Sequence, residues 1–264
     1  MIELEKLVKR FGDLVAVNEI DLSVARGEFF AVLGPNAAGK TTMIKMLVGL
    51  IKPTSGCARV AGMDVQEEPI EVRRRIAYVP DFPFLYDKLT PMEFFRFIGR
   101  LFGMEEAQMD EQIRELIPRF SLDSYLDLAI ESLSHGTRQR IAIVSALMHV
   151  PDVFVLDEPM VGLDPHHARV LKDVLRERAM AGMTIFLSTH QLSVAEEMAD
   201  RIGIIHNGKL IALGTKQELR KQAGSDGALE DTFLILTREE ESSVEMEQRQ
   251  LHQETDRTPT ATGD

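Results

Sequence analysis

Cysteine is nearly missing from this chain. Among 264 residues only Cys57 carries a thiol, which excludes an intrachain disulfide framework, and no metal-ligand spacing surrounds it. A reducing, cytoplasmic compartment fits that usage. Long hydrophobic runs are missing too: the longest, such as residues 141–150, fall well short of the roughly 18 apolar residues a membrane span requires, so the chain is not expected to cross a membrane alone. The opening MIELEKLVKRFGD scatters its charges instead of placing a basic start ahead of an apolar stretch, and does not read as a signal peptide. Nor is there a basic excess. The 30 Lys and Arg against 42 Asp and Glu leave a formal net charge of −12, which argues against a general grip on nucleic acid. Residues 239–264 hold eight acidic and two basic side chains, net −6, so half of that charge belongs to one end. No internal repeat is present.

What is there is material for one large α/β domain or two small ones: 44% hydrophobic and 27% charged residues over a length that can bury a sizeable core. Short apolar runs with turn signals at 4–8, 22–24, 29–33, 76–79, 153–156, 184–187, 202–205 and 209–212 predict strands, several apolar enough to be buried on both faces. Helical patterns alternate with them at 41–49, 91–102, 105–120, 136–149, 166–180 and 193–199, which predicts a sheet with helices on its faces. Asn207-Gly208 predicts a β-hairpin at the sheet's edge, because both residues readily take the positive φ of a tight turn. Residues 82–133 lack strand patterns and read as a helical insertion. From about Arg238 the chain turns acidic and polar and is expected to be disordered.

Gly34-Pro35-Asn36-Ala37-Ala38-Gly39-Lys40-Thr41-Thr42 satisfies G-x-x-x-x-G-K-[ST], directly after a strand and before a helix. Such a loop aims backbone N–H groups at phosphate oxygens, and the following helix start favours the same anion. Lys40 is then expected to reach the β and γ phosphates and Thr41 to place its hydroxyl on Mg²⁺. Ala37 falls at one of the pattern's free positions. If its φ is positive, the methyl costs about 1 kcal/mol, a strain the loop can carry. Val153-Phe154-Val155-Leu156 delivers two carboxylates at a strand's end: Asp157 to hold Mg²⁺, commonly through water, and Glu158 to take a proton from an attacking water. The strand at 184–187 leads to Ser188-Thr189-His190, so three strands carry chemistry at their carboxyl ends, where open parallel sheets bind ligands.

With these motifs, Leu133-Ser134-His135-Gly136-Thr137 resembles the LSGGQ signature of ATP-binding subunits of ABC transporters, and the likeness covers about residues 2–220 in that family's motif order. Glu158-Pro159-Met160-Val161-Gly162-Leu163-Asp164-Pro165 resembles its catalytic glutamate and D-loop, His190 falls at its switch histidine, and Phe11 at the aromatic that stacks on adenine. The resemblance implies a phosphate-loop NTPase fold of the ABC ATPase type: a mostly parallel core sheet, an N-terminal antiparallel β subdomain, an α-helical insertion at about 82–133 and a C-terminal extension from 221. It implies ATP and Mg²⁺ as ligands. It also implies two protomers paired head to tail, with Ser134 and Gly136 on the γ-phosphate held by the partner's loop, and a separate transmembrane permease at the cytoplasmic face of the membrane. Residues 229–237 resemble the segment that closes many ABC-2 type exporter ATPases, which points to export.

Two departures stand out. His135 replaces the first signature glycine and is read as an exposed, tolerated side chain. Asp81 stands where the family usually has the Q-loop glutamine; a carboxylate can ligate Mg²⁺, directly or through water, but is one methylene shorter and cannot donate when ionised. Six of the thirteen phenylalanines lie within residues 82–102; Phe94, Phe97 and Leu101 keep helical spacing and read as core, and exposed members such as Phe84 as a groove for a cytoplasmic helix of the permease. Two other readings stay open: a soluble ABC ATPase outside transport, and a weakly hydrolytic regulatory subunit. The cargo, and whether the dimer is homomeric or heteromeric, are open as well.

Overall fold

The computed structural model describes residues 1–224 and 228–238; the expected acidic tail from about 238 lies outside the described residues. The chain begins with two long strands, β1 (Ile2–Phe11) and β2 (Leu14–Val24), followed by β3 (Phe29–Leu33), helix α1 (Lys40–Leu47), β4 (Ser55–Val60), β5 (Met63–Asp64), α2 (Pro69–Arg75) and β6 (Ile76–Val79). The region from 82 to 133 contains α3 (Pro91–Leu101), α4 (Glu106–Arg119) and two short 3₁₀ turns, with no strand, as predicted. Then come α5 (His135–Leu147), β7 (Val153–Asp157), α6 (Pro165–Met180), β8 (Thr184–Thr189), α7 (Leu192–Met198), β9 (Arg201–His206), β10 (Lys209–Gly214) and α8 (Lys216–Gln222). Residues 229–238 are helical.

The strands form two sheets. A six-stranded sheet has the order β10-β9-β3-β8-β7-β6, parallel throughout except for the antiparallel β9–β10 hairpin at its edge. Asn207 and Gly208 take φ 47° and 78°, the primed-turn conformation expected of them. An antiparallel sheet, β2-β1-β4-β5, packs against the other. The apolar runs of the central strands follow from burial on both faces. Phe29, Ala31 and Leu33 enter one core with the helices of the 82–133 region, α5 and α6, while Phe30 and Val32 enter a second core with α1 and the antiparallel sheet. Strands β7 and β8 divide their side chains in the same way, and Phe30 meets Phe186 at 5.3 Å between ring centroids.

Three expectations need correction. The strands placed at 4–8 and 22–24 are the middle of a ten-residue strand and the last three residues of an eleven-residue one, whose pairing is interrupted by register shifts and by Lys6 and Glu19 at φ 44° and 50°. Irregular pairing breaks the alternation that marks a strand, so both ends of β1 and the first eight residues of β2 escaped notice. Strands β4 and β5 and helices α2 and α8 were missed, being short or, in α2, buried only at Val72. In α3 the spacing misled: Phe94 is buried, but Phe97 and Leu101 are 41% and 68% exposed and Phe95 takes the inner place.

Candidate active site

Because β3, β6, β7 and β8 run parallel, their carboxyl ends share one edge of the sheet, and the segments leaving them meet there. The loop after β3 wraps the start of α1. Gly39, at φ 104°, precedes the helix and offers no side chain to cap it, so the first-turn N–H groups keep no side-chain partner. Ala37 does adopt positive φ, 65°, the conformation in which its methyl was expected to cost strain. A Cβ on Gly34 would collide with the Ile205 carbonyl oxygen, and one on Gly39 with that of Ala16. The edge hairpin supports the loop from the side, the Gly208 N–H donating to the Ala38 carbonyl at 2.9 Å.

Lys40 is buried and donates to the Gly34 and Pro35 carbonyls at 2.6 and 3.1 Å. Burial pulls its pKa below the ordinary lysine value; the Glu158 and Asp157 carboxylates act in the opposite direction. Thr41 donates its hydroxyl to Asp157 Oδ2 at 2.7 Å, while Asp157 Oδ1 is buried with no hydrogen-bond partner. Glu158 sits at φ 49°, its N–H donating to the Ser188 carbonyl, and its carboxylate lies 3.8 Å from Lys40 Nζ. His190 Nδ1 comes within 2.9 Å of Glu158 Oε1 without the alignment of a hydrogen bond, so both Glu158 oxygens stay buried with no aligned partner. Asp81 is exposed and accepts from the Phe82 N–H at 2.9 Å. Burial, then Asp157 and Asp81, raise the Tyr78 hydroxyl above its ordinary pKa and hold it neutral.

These groups converge. A cavity of about 540 Å³ is lined by Phe11, by Pro35 through Thr42, and by Asp81, Asp157 and Glu158. Gly34 and His190 are not part of that lining and meet it through Lys40 and Glu158. Sequence reasoning missed the part of the wall beside the loop, Leu14 to Ala16 and Asn207-Gly208. The turn was legible as a turn; only the pairing of β9 with β3 brings it beside the loop. The uncapped helix start suits phosphate oxygens, and the unpartnered Asp157 oxygen beside the Thr41 hydroxyl suits a hard divalent cation.

Ser134 and Gly136 are not brought to this cavity. They line a second one of about 390 Å³ with His135, Thr137, Arg140, Gly162, Leu163, Asp164 and His167. Ser134 caps α5, accepting from the Thr137 N–H, and Asp164 caps α6, accepting from the His167 N–H. Two His167 hydrogen bonds, from its N–H and then from its ring, hold the Asp164 carboxyl down at about 2. His135 is exposed, as expected, but not idle: its ring lies 5.7 Å from that of Phe82 and packs over Gly162, where a Cβ would collide with it.

A parallel sheet whose central strand passes through such a loop into a helix, with paired carboxylates on a neighbouring strand, defines a phosphate-loop nucleotide-binding domain. The chain belongs to the ABC transporter family of ATP-binding proteins: the family profile described as ABC transporter matches residues 17–161. It is similar to the probable multidrug ABC transporter ATP-binding protein YbhF of Escherichia coli (strain K12), 39% identical over 226 residues that cover 86% of this chain and 39% of that protein. It therefore spans about two fifths of YbhF. It is 40% identical to the daunorubicin/doxorubicin resistance ATP-binding protein DrrA of Streptomyces peucetius over 225 residues, 85% of this chain and 68% of DrrA. A solved ATP-binding subunit of an ABC transporter matches with a TM-score of 0.87 at 33% identity, covering 90% of this chain and 99% of the other. The fold is that of ABC ATPase domains, and no helix among the described residues is long and apolar enough to cross a membrane.

Proposed function

We propose that this chain is the ATP-hydrolysing subunit of an ABC exporter, with residues 1–220 as the ATPase unit, pairing head to tail with a second ATPase protomer around two MgATP and driving a separate transmembrane permease from the cytoplasmic face of the membrane. One observation carries it: the phosphate loop, Asp157 and Glu158 meet in one cavity, whereas Ser134 and Gly136 line another, which supports a nucleotide site completed by a second protomer's signature. The drug-resistance names of the relatives support export. Nothing in the charge pattern calls for nucleic acid.

In this reading the phosphate loop cradles the phosphates, Lys40 leaves its carbonyls for β and γ oxygens, and Phe11 stacks on adenine. Thr41, Asp157 and Asp81 hold Mg²⁺, which when bound neutralises charge developing on the phosphates. Glu158, with two uncommitted buried oxygens, accepts the proton of the attacking water while that water's oxygen bonds to the γ phosphorus; the bond to the β–γ bridging oxygen breaks and ADP takes its electron pair. His190, against Glu158, holds the carboxylate and water in line. The exposed aromatics Phe82, Phe84 and Tyr86 beside an apolar cleft of about 220 Å³ are proposed to receive the permease.

The test is to tag the chain, extract it from native membranes with ATP and Glu158→Gln to hold the closed dimer, and identify what copurifies. A stoichiometric multi-span protein supports the exporter reading. Recovery from the soluble fraction alone, or with ribosomes, supports a soluble ATPase instead.

A further inference from the structure

Behind the signature runs a hydrogen-bonded chain that the reading above does not use. Asp164 Oδ2 lies 2.6 Å from His167 Nδ1, His167 Nε2 lies 2.9 Å from Arg140 Nη1, Arg140 Nη2 donates to Thr137 Oγ1 at 3.0 Å, and Thr137 Oγ1 lies 2.9 Å from Ser134 Oγ. Its polarity follows from chemistry. A guanidinium can only donate, so His167 Nε2 must accept and the ring proton resides on Nδ1, donated to Asp164. Arg140 is buried, and the same Nη1 also donates to the Phe120 and Ser121 carbonyls just past α4, so its two protons are shared among three acceptors of which His167 is one.

With Thr137 Oγ1 accepting from Arg140, the threonine's own proton is available to Ser134 Oγ, which already accepts from the Thr137 N–H at 3.3 Å. When the threonine donates there, Ser134 has both lone pairs filled and its O–H is left to point elsewhere. We propose that His167 is a positioning residue that, through Arg140 and Thr137, fixes Ser134 as a hydrogen-bond donor aimed out of the second cavity at the partner protomer's γ-phosphate. This rests on the head-to-tail reading given above. No sequence signal beyond the Asp-Pro helix start marks His167; only the fold sets it 2.9 Å from a residue 27 positions earlier.

The experiment uses the full chain carrying Glu158→Gln, with and without His167→Ala or His167→Gln. Glutamine can accept from Arg140 and donate to Asp164 as the imidazole does. Monomer affinity for a fluorescent ATP analogue, thermal midpoint, and the ATP concentration for half-maximal dimerisation by sedimentation are read together. Expected is that His167→Ala weakens ATP-driven dimerisation about tenfold, with monomer nucleotide affinity unchanged, and that His167→Gln restores most of it. Dimerisation by His167→Ala equal to the parent's overturns the proposal, as does a loss that follows the thermal midpoint and that glutamine does not rescue. A parent chain that stays monomeric in saturating ATP overturns the head-to-tail reading itself, and this proposal with it.

Discussion

Ala37 and Gly39 are two residues apart, both at positive φ, and differ in what they tolerate. Around Gly39 a methyl would strike the Ala16 carbonyl oxygen, whereas no such collision enters at Ala37, where the alanine is already in place. Replacing Ala37 by glycine relieves about 1 kcal/mol of left-handed strain and gives back a similar amount, about 0.4–1 kcal/mol, as unfolded-chain entropy. Ala37→Gly is therefore expected to leave chemical-denaturation stability within about 1 kcal/mol and MgATP affinity unchanged, while Gly39→Ala should cost about tenfold or more in affinity by equilibrium titration, because the loop backbone must move. The same logic separates binding from chemistry at Glu158. Its carboxylate is buried beside Lys40 and His190 but bonds neither in good alignment, so Glu158→Gln is expected to lower single-turnover hydrolysis by about a hundredfold or more and to preserve MgATP affinity. Equal single-turnover rates would remove Glu158 as the base.

Among the elements, the turn just past α5 carries a titratable group out of keeping with its surroundings. His149 stacks on Phe102, ring centroids 3.7 Å apart and planes at 11°, and its nitrogens are buried without well-aligned partners. Burial dominates the backbone of Ile76 nearby and lowers the imidazole from 6.5 to about 4. The folded chain thus binds fewer protons here than the unfolded chain between those values, and stability falls as pH falls through that window. His149→Phe should flatten the decline of the thermal midpoint between pH 6.5 and about 4, measured by calorimetry; an unchanged slope would show that other groups set it. Legibility also divides by element. Strands β3, β7 and β8 could be read because burial on both faces makes a continuous apolar run, and the phosphate loop because its glycines and lysine stand at a fixed spacing directly between a strand and a helix. The ends of β1, the first part of β2, and Phe97 pointing outward from α3 could not, since irregular pairing and the packing partner of a helix face are decided by residues far along the chain. For the same reason the hairpin wall of the nucleotide cavity and the His167–Arg140 contact were invisible.

On the scale of the whole molecule, one face carries exposed aromatics at the mouth of a cleft, with Phe84 at 91% exposure. A side chain so exposed adds nothing to the core, so Phe84→Asp should leave the thermal midpoint within about 2 °C. In the assembled complex the same change is expected to retain ATP hydrolysis and lose transport in reconstituted vesicles. Transport that survives it would move the docking surface elsewhere.

In the proposed head-to-tail dimer, where both protomers are copies of this chain, the separation of the two cavities has a genetic consequence. A chain damaged at Lys40 keeps a sound signature, and one damaged at Ser134 keeps a sound phosphate loop. Either allele alone leaves every site of a homodimer defective. Expressed together, the two pair into dimers in which one site collects both lesions and the other receives none, so two inactive alleles should complement each other, a behaviour that a site built wholly within one chain cannot produce.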